Sequence, residues 1–127
     1  QNNFITSHFS PAISSLKILE QSLTRSLKKT KSSLPKKLDS DTTLIDIRVK
    51  FNNVTSIHTL SRDAINRVRA AGIGWQFLKE YIIKNVCKSR SEETKKLIKM
   101  GIRYKYVYLH PNTNSNILTV NLPETCP

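Results

Sequence analysis

The alternation of apolar and polar side chains predicts a β-hairpin near the middle of the chain. Residues 45–51 carry four apolar side chains that alternate with charged ones: Ile45, Ile47, Val49 and Phe51. A period of two is typical of a strand with one buried and one solvated face. Asn52 and Asn53 follow, and asparagine tolerates the positive φ of a tight turn. Residues 54–60 are therefore expected to return as a second strand.

The length of the hairpin loop decides which side chains of the returning strand are buried. A two-residue loop places His58 on the buried face, whereas a three-residue loop places Ile57 there and leaves His58 in water. We favour the three-residue loop, because an isoleucine side chain costs less to bury than an imidazole.

A helical period follows the hairpin. Ser61 and Asp63 are typical of a helix start, as an N-cap and as an acid in the first turn. Apolar residues then recur at helical spacing: Ile65, Val68, Ala71, Trp75, Leu78, Ile82 and Val86. They predict one long central helix with Trp75 largely buried against a sheet. Gly72 and Gly74 interrupt the pattern and could kink the helix, split it or let a strand approach closely, and we favour the kink.

The C-terminal third predicts a short helix and a second hairpin. Ser91 begins the helix, and Gly101 ends it as a left-handed cap. The next strand alternates and carries a tyrosine row: Tyr104, Tyr106 and Tyr108. Residues 110–116 form a polar turn, and residues 117–122 form the last strand. A tyrosine row either packs beneath a helix or binds a partner, and we favour packing.

The N-terminal part predicts one more helix and a linker. Ser10 and Pro11 are typical of a helix start, and residues 1–9 are expected to be loose. A single apolar stripe follows, made of Leu16, Leu19, Leu23 and Leu27. This stripe docks on its own domain, on another copy or on a partner. Residues 28–39 have the basic, proline-interrupted composition of a linker.

These elements predict an α+β fold. Residues 1–41 are assigned to the N-terminal helix and basic linker, and residues 42–127 to the folded domain. Two hairpins separated by helices imply an antiparallel sheet. The long central helix and the short helix are expected to pack on one side of that sheet.

The two cysteines, Cys87 and Cys126, lie at the end of the predicted central helix and next to the C-terminus. An even count with one member at the terminus favours a disulfide over two free thiols. Disulfides persist in oxidising compartments, so we expect a periplasmic or otherwise exported protein. A start at Gln1 rather than methionine is expected of a processed or trimmed product, and a signal peptide or lipid anchor upstream is left open.

The net charge of +12 is compatible with nucleic acid, anionic lipid or acidic protein as a partner. Much of this charge lies within residues 17–37, and the remainder is interleaved with acids. The sequence shows no arginine and aromatic platform of the kind that single-strand binders use. Nucleic acid is therefore the disfavoured partner.

The sequence contains no recognisable catalytic motif. His8, His58 and His110 fall at no metal-ligand spacing, and the cysteines have no second pair, so we expect neither a metal nor another cofactor. One enzymatic alternative remains, an exported ribonuclease toxin domain in which His58 and His110 act as general acid and base. We expect a protein that is not an enzyme.

The run from Cys87 to Cys126, CKSRSEETKKLIKMGIRYKYVYLHPNTNSNILTVNLPETC, resembles small periplasmic pilotin domains of type II secretion, of the AspS kind. Their fold is similar to the C-terminal domains of TolA and TonB. The resemblance covers roughly residues 42–127 and rests on the element order and on Cys87, Gly101, Tyr104 and Cys126. It implies a disulfide between the two cysteines, no catalysis and binding of a short C-terminal secretin segment. The strong basicity and the leucine-striped extension depart from that family.

The sequence thus predicts a non-enzymatic interaction module of the periplasm or envelope, serving a secretion or envelope-spanning complex. We expect it to bind a short peptide or helix of a partner protein, at a sheet edge or in a groove beside it. Four aromatic residues are the candidate partner-binding side chains: Trp75, Tyr104, Tyr106 and Tyr108. An upstream anchor would add proximity to a membrane. The alternative is a nucleic-acid binder or the ribonuclease.

Overall fold

The computed structural model describes the backbone of residues 2–127 and the side chains of residues 15–127. In chain order its helices and strands are α1 (Asn2–Ser32), β1 (Lys36–Lys37), β2 (Thr42–Lys50), β3 (Asn53–Leu60), α2 (Arg62–Ala71), α3 (Trp75–Ser89), α4 (Glu92–Lys99), β4 (Arg103–Leu109) and β5 (Asn116–Asn121). The predicted α+β class is confirmed, including the N-terminal helix.

The strands form one sheet in the order β1-β2-β3-β4-β5. Neighbouring strands are antiparallel except for β3 and β4, which are parallel. The prediction of a purely antiparallel sheet is therefore wrong. The connection explains the difference, because α2, α3 and α4 carry the chain from the end of β3 back to its beginning before β4 starts. Parallel neighbours require such a long crossover, usually a helical one.

The predicted central helix is two helices, separated at Gly72, Ile73 and Gly74. Gly72 has a left-handed backbone with φ of 67°, and its amide donates to the carbonyl of Arg69, which ends α2. Glycine adopts this conformation without the strain that a side chain would add. Gly74 is the N-cap of α3. The kink that we favoured is therefore wrong, and the two glycines split the helix.

The first helix is longer than the sequence predicts, since α1 begins at Asn2 rather than Ser10 and ends at Ser32. The Leu34–Pro35 peptide is cis, and Lys36–Lys37 then pairs with β2 at the edge of the sheet. Residues 28–39, which we predicted as a linker, thus contain a helix end and a strand. Lysine and serine composition misleads here, because these side chains also suit the solvated side of a helix. The division of the chain at residue 41 stays a prediction.

Two groups of buried residues lie between the helices and one face of the sheet. The first group connects α1 with the sheet and with the start of β4: Leu23, Leu44, Ile47, Val54 and Ile102. The leucine stripe of α1 therefore docks on its own chain. The second group lies beneath α2 and α3: Leu60, Ile65, Tyr108, Leu118 and Val120. Trp75 is partly buried and packs against this second group, on the same side as Leu78 and Ile82.

The β2–β3 hairpin has a two-residue loop, because Lys50 pairs directly with Asn53. Phe51 takes the positive φ of the turn, at 54°. This register turns His58 towards the helices, where it is 3% exposed. The prediction that His58 lies in water is therefore wrong. Ile57 is also buried, but on the opposite face of the sheet.

Cys87 in α3 and Cys126 after β5 are joined by a disulfide, with their Cα atoms 5.6 Å apart. The same C-terminal segment is held by two polar contacts. Arg90 Nη2 donates to the carbonyl of Pro123 at 3.0 Å, and Arg103 pairs with Glu124 at 2.9 Å. The disulfide therefore fastens the segment that follows β5 to the helix that lies above the sheet.

We expect reduction of this disulfide to destabilise the protein. Closing a loop across a sequence separation of 39 is worth about 4 kcal/mol in the chain-entropy model. Thermal unfolding followed by circular dichroism should show a melting temperature several degrees lower with reductant than without it. The double variant Cys87→Ser with Cys126→Ser is the control, since it should melt at the same temperature in both conditions. Equal melting temperatures for the oxidised and reduced wild type would contradict the expectation.

The burial of two core side chains leads to a second prediction. Ile65 is 1% exposed, so Ile65→Ala should lower the free energy of unfolding by about 2–5 kcal/mol. Trp75→Ala should cost less than the about 3–5 kcal/mol of a fully buried aromatic, because the indole is partly solvated. Urea denaturation of both variants measures the two losses. A loss above about 5 kcal/mol for Trp75→Ala, or below about 2 kcal/mol for Ile65→Ala, would count against these placements.

Candidate functional site: an apolar groove between the helices and the sheet

A groove of about 850 Å³ lies between α2, α3 and the face of the sheet that the helices cover. Side chains of β2, β3 and β4 form its floor: Leu44, Ser56, His58, Tyr106 and Tyr108. Side chains of the two helices form its walls: Ala64, Val68, Ala71, Leu78, Ile82 and Val86. Its size falls within the range of pockets that bind small molecules or side chains of a partner.

The groove exists because α3, which contacts the sheet at β5, does not close onto the floor strands β2, β3 and β4. None of its residues is fully buried, although Leu78 and Ile82 contact the second group of buried residues. The break at Gly72–Gly74 lets α3 take its own direction instead of continuing the axis of α2. Tyr81 and Asn85 consequently lie at the mouth of the groove rather than against the strands.

Large apolar side chains surround the mouth of the groove. Leu38 is 50% exposed, Ile73 is 41% exposed and Tyr81 is 56% exposed, and all three line it. Single exposed apolar side chains are ordinary, but several around one concavity are typical of a binding surface. Another apolar surface that covered the mouth would therefore remove these three side chains from water.

His58 is the buried polar side chain of the floor. Its Nδ1 lies 3.3 Å from the carbonyl oxygen of Val107, on the neighbouring strand. Its ring stacks on Tyr108, with centroids 4.7 Å apart and planes 16° apart, and meets Tyr106 at 5.0 Å and 54°. Burial lowers the pKa of His58, and the contact with Val107 raises it by less. The imidazole is therefore held neutral at neutral pH.

The tyrosine row divides between the groove and the core. Tyr106 and Tyr108 line the floor, and Tyr108 also belongs to the second group of buried residues, whereas Tyr104 packs against the first group. Burial is the main cause that raises the pKa of all three phenols. Their hydroxyls consequently stay protonated at physiological pH.

Charged groups at the mouth neutralise one another. Arg67 donates to Asp41, which also accepts from the Ser61 hydroxyl at 3.0 Å. The Arg67 bond, followed by the Ser61 bond, lowers the pKa of Asp41, and Asp41 in turn raises the pKa of Arg67. Asp39 accepts from the backbone amides of Asp41 and Thr42, each at 2.8 Å. The groove thus lacks the uncompensated cations that a phosphate-binding site needs.

The structure brings together only some of the residues that the sequence proposed as partner-binding. Tyr106 and Tyr108 lie in the groove, while Trp75 and Tyr104 do not line it. The sequence pattern did not single out Leu38, Ile73 or Tyr81 as groove residues. Ile73 and Tyr81 are large apolar side chains outside the apolar stripe of their segment, and this could have indicated that they are exposed.

The residues proposed for the ribonuclease alternative occupy different surroundings. His58 lines the groove, whereas His110 lies in the β4–β5 turn, where its Nδ1 accepts from the backbone amide of Asn112 at 3.2 Å. Among the side chains that the structure describes, no three metal-ligating residues form a cluster. None of the helices, over the described residues, has the length and hydropathy needed to cross a bilayer.

Comparison with solved structures finds the same fold in three proteins. A Pseudomonas aeruginosa protein assigned as secreted has a TM-score of 0.68 and 16% identity, over 85% of this chain and 91% of that one. The pilotin EpsS of the Vibrio vulnificus type 2 secretion system has a TM-score of 0.64 and 14% identity, over 87% and 93%. The type II secretion pilotin AspS of Vibrio cholerae has a TM-score of 0.61 and 14% identity, over 89% and 95%.

These likenesses confirm, at the level of the fold, the pilotin resemblance that the sequence indicated. Nearly the whole of each solved chain is covered, so the likeness concerns the complete domain and not a shared hairpin. The sequence matches no protein-family model and no curated protein.

The burial of His58 predicts a pH dependence of stability. Because the folded pKa lies below the ordinary value of 6.5, the unfolded chain binds more protons below that pH. The resulting loss of folding stability is absent above pH 6.5 and grows as the pH falls from 6.5 towards the lowered pKa of His58. Urea midpoints at pH 7.5 and pH 5 should therefore differ more for the wild type than for His58→Phe, which keeps a ring but cannot titrate. Equal differences would contradict the prediction.

Proposed function

We propose that this protein is a non-enzymatic interaction module of an envelope or secretion complex, and that its groove binds a short apolar segment of a partner protein. The observation that carries the proposal is the groove itself, with exposed Leu38, Ile73 and Tyr81 around its mouth. An apolar partner segment would cover these side chains and remove them from water. That burial is the main favourable term in such an association.

The position of the groove favours an amphipathic helix over an added strand as the bound element. The floor belongs to β2, β3 and β4. Strands β3 and β4 pair with a neighbour on both sides, and β2 pairs with β1 at Thr43 and Leu44, where it reaches the groove. Backbone groups within paired strands are largely used, so they offer little to an extended peptide. An amphipathic helix needs only side-chain contacts and fits a groove through residues one turn apart.

The fold supports a partner from a secretion or envelope complex. Two of the similar structures are pilotins of type II secretion systems. We therefore propose a component of such a complex, with a secretin segment as the first candidate. The disulfide between Cys87 and Cys126 favours an exported, envelope-associated location, because it needs an oxidising compartment.

A nucleic-acid partner has less support. Arg67, the cation at the mouth of the groove, is paired with Asp41 and Asp63. Exposed cations of the sheet, such as Arg48 and Lys105, lie on the opposite face. The positive charge of the chain would thus speed the encounter with an acidic protein more than it would create a phosphate site in the groove.

The test selects peptides from a random phage-displayed library against the oxidised protein and measures their affinity by fluorescence anisotropy. Asn85→Trp places a bulky ring at the mouth, because Asn85 lines the groove on an exposed position of α3. Gln76→Trp is the matched control, since Gln76 is an exposed polar residue of the same helix outside the lining. We expect Asn85→Trp to weaken binding of the selected peptides at least about tenfold, and Gln76→Trp to leave it unchanged.

Salt separates the proposed function from its alternative. Affinity for an apolar peptide should change little between low and physiological salt, whereas binding to phosphates falls steeply with salt. Labelled RNA and DNA should bind only weakly at physiological salt, with a Kd no tighter than about 10⁻⁴–10⁻⁶ M, and should not be cleaved. Failure to select any peptide whose affinity falls in the Asn85→Trp variant would overturn the proposal. Tight, salt-sensitive nucleic-acid binding would replace it.

A further inference from the structure

We propose that His58 is a fixed hydrogen-bond acceptor in the floor of the groove, so that the bound segment must present one N–H or O–H donor among its apolar side chains. This inference rests on the proposed function and deepens it, because it names the polar group that a partner needs. It concerns the atom Nε2 of His58.

The neighbour of Nδ1 determines which nitrogen carries the proton. The carbonyl oxygen of Val107 lies 3.3 Å from Nδ1 and can only accept, so Nδ1 must be the donor. A neutral imidazole has a single N–H, and Nε2 is then left with a lone pair. Stacking on Tyr108 and the contact with Tyr106 fix the plane of the ring. Both the chemistry and the direction of Nε2 are thereby set before any partner binds.

The groove is the open side of this ring. His58 is 3% exposed and lines the groove, and Nε2 is the ring nitrogen farther from its own backbone. No hydrogen bond joins Nε2 to another group in the part of the chain with described side chains. Within that part, Arg90 Nε is the one fully buried side-chain nitrogen or oxygen that lacks a partner. An unbonded Nε2 that is absent from that set keeps some contact with solvent, and the groove is where an entering donor would meet it.

An entirely apolar segment would seal this acceptor without a partner. A buried polar atom that loses water and gains no hydrogen bond reduces affinity. Sites built around one buried polar group discriminate strongly against ligands that cannot pair with it. The groove should therefore prefer segments with serine, threonine, asparagine, glutamine or tryptophan at the position facing His58 over purely aliphatic ones.

Acidification should remove the preference, because protonated Nε2 becomes a donor. The added charge would lie at a buried ring that is stacked on Tyr108 and in contact with Tyr106. Tyr106 and Tyr108 of β4, Tyr81 of α3 and Leu44 of β2 line the same groove. At the mouth, Arg67 of α2 is paired with Asp41, and Asp39 is engaged with backbone amides. Binding of a donor-bearing segment should weaken as the pH falls below 6.5 towards the lowered pKa of His58.

The test is a double-mutant cycle with peptides selected from the random library as probes. In the strongest groove binder, the expected donor is replaced by its nearest isostere, for example threonine by valine. The protein change is His58→Phe, which retains the ring but not the acceptor. We expect each single change to weaken binding at least about tenfold, and the peptide change to have little effect once His58 is phenylalanine.

Long-range nitrogen–proton NMR spectra give a second readout that does not need a folded His58→Phe protein. They should show His58 with its proton on Nδ1 in the free protein and a shifted Nε2 resonance on peptide binding. A proton on Nε2 in the free protein would overturn the inference. Peptides that bind the groove with no coupling to His58 would also overturn it, while leaving the proposed function standing. Failure to find any groove-binding peptide would remove both.

Discussion

The parallel pairing of β3 with β4 is the constraint from which the rest of the architecture follows. Parallel neighbours cannot be joined by a tight turn, so the chain must leave the end of β3 and return to its start. Three short helices make this return on one face of the sheet. The glycines at 72 and 74 end the first helix and begin the second. That break leaves α3 half-buried, and the space beneath it is the groove.

The disulfide acts on the same region from the other side. Cys87 is near the end of α3, and Cys126 follows the last strand, so the bond holds a weakly buried helix near the sheet. A helix with no fully buried residue has little packing of its own to fix its position. The covalent link therefore holds α3 in place and leaves the groove open. A larger apolar core would also hold the helix, but it would fill the groove.

His58 shows why some features follow from the sequence and others do not. Transfer cost alone favours placing Ile57 inward and His58 outward. In the structure both side chains are buried, on opposite faces of the sheet. His58 is accommodated because Val107 accepts from its Nδ1 and two tyrosines cover the imidazole. The partners of His58 come from β4, far along the chain, and no local pattern reveals them. The same holds for the parallel register, which depends on where the helical crossover ends.

Local patterns predicted the elements that depend on local chemistry. Ser61 and Ser91 cap their helices by accepting from the amides of Ala64 and Thr94, as serine at a helix start should. The alternation around Tyr106 produced a strand with a tyrosine face, and two of those tyrosines lie in the groove. Trp75 does not line the groove, because its position depends on the direction that α3 takes after Gly74. Local signals thus identified the strands and caps, and the groove emerged only from how the helices are placed.

The most direct test of the account is methyl NMR of the oxidised protein during titration with a selected peptide. Leu78 and Ile82 line the groove, whereas Ile57 and Val107 lie on the opposite face of the sheet and serve as internal references. Binding in the groove predicts saturable shifts of the Leu78 and Ile82 methyl signals, with those of Ile57 and Val107 nearly unchanged. Shifts confined to Ile57 and Val107, or to the exposed edge at β5, would contradict it.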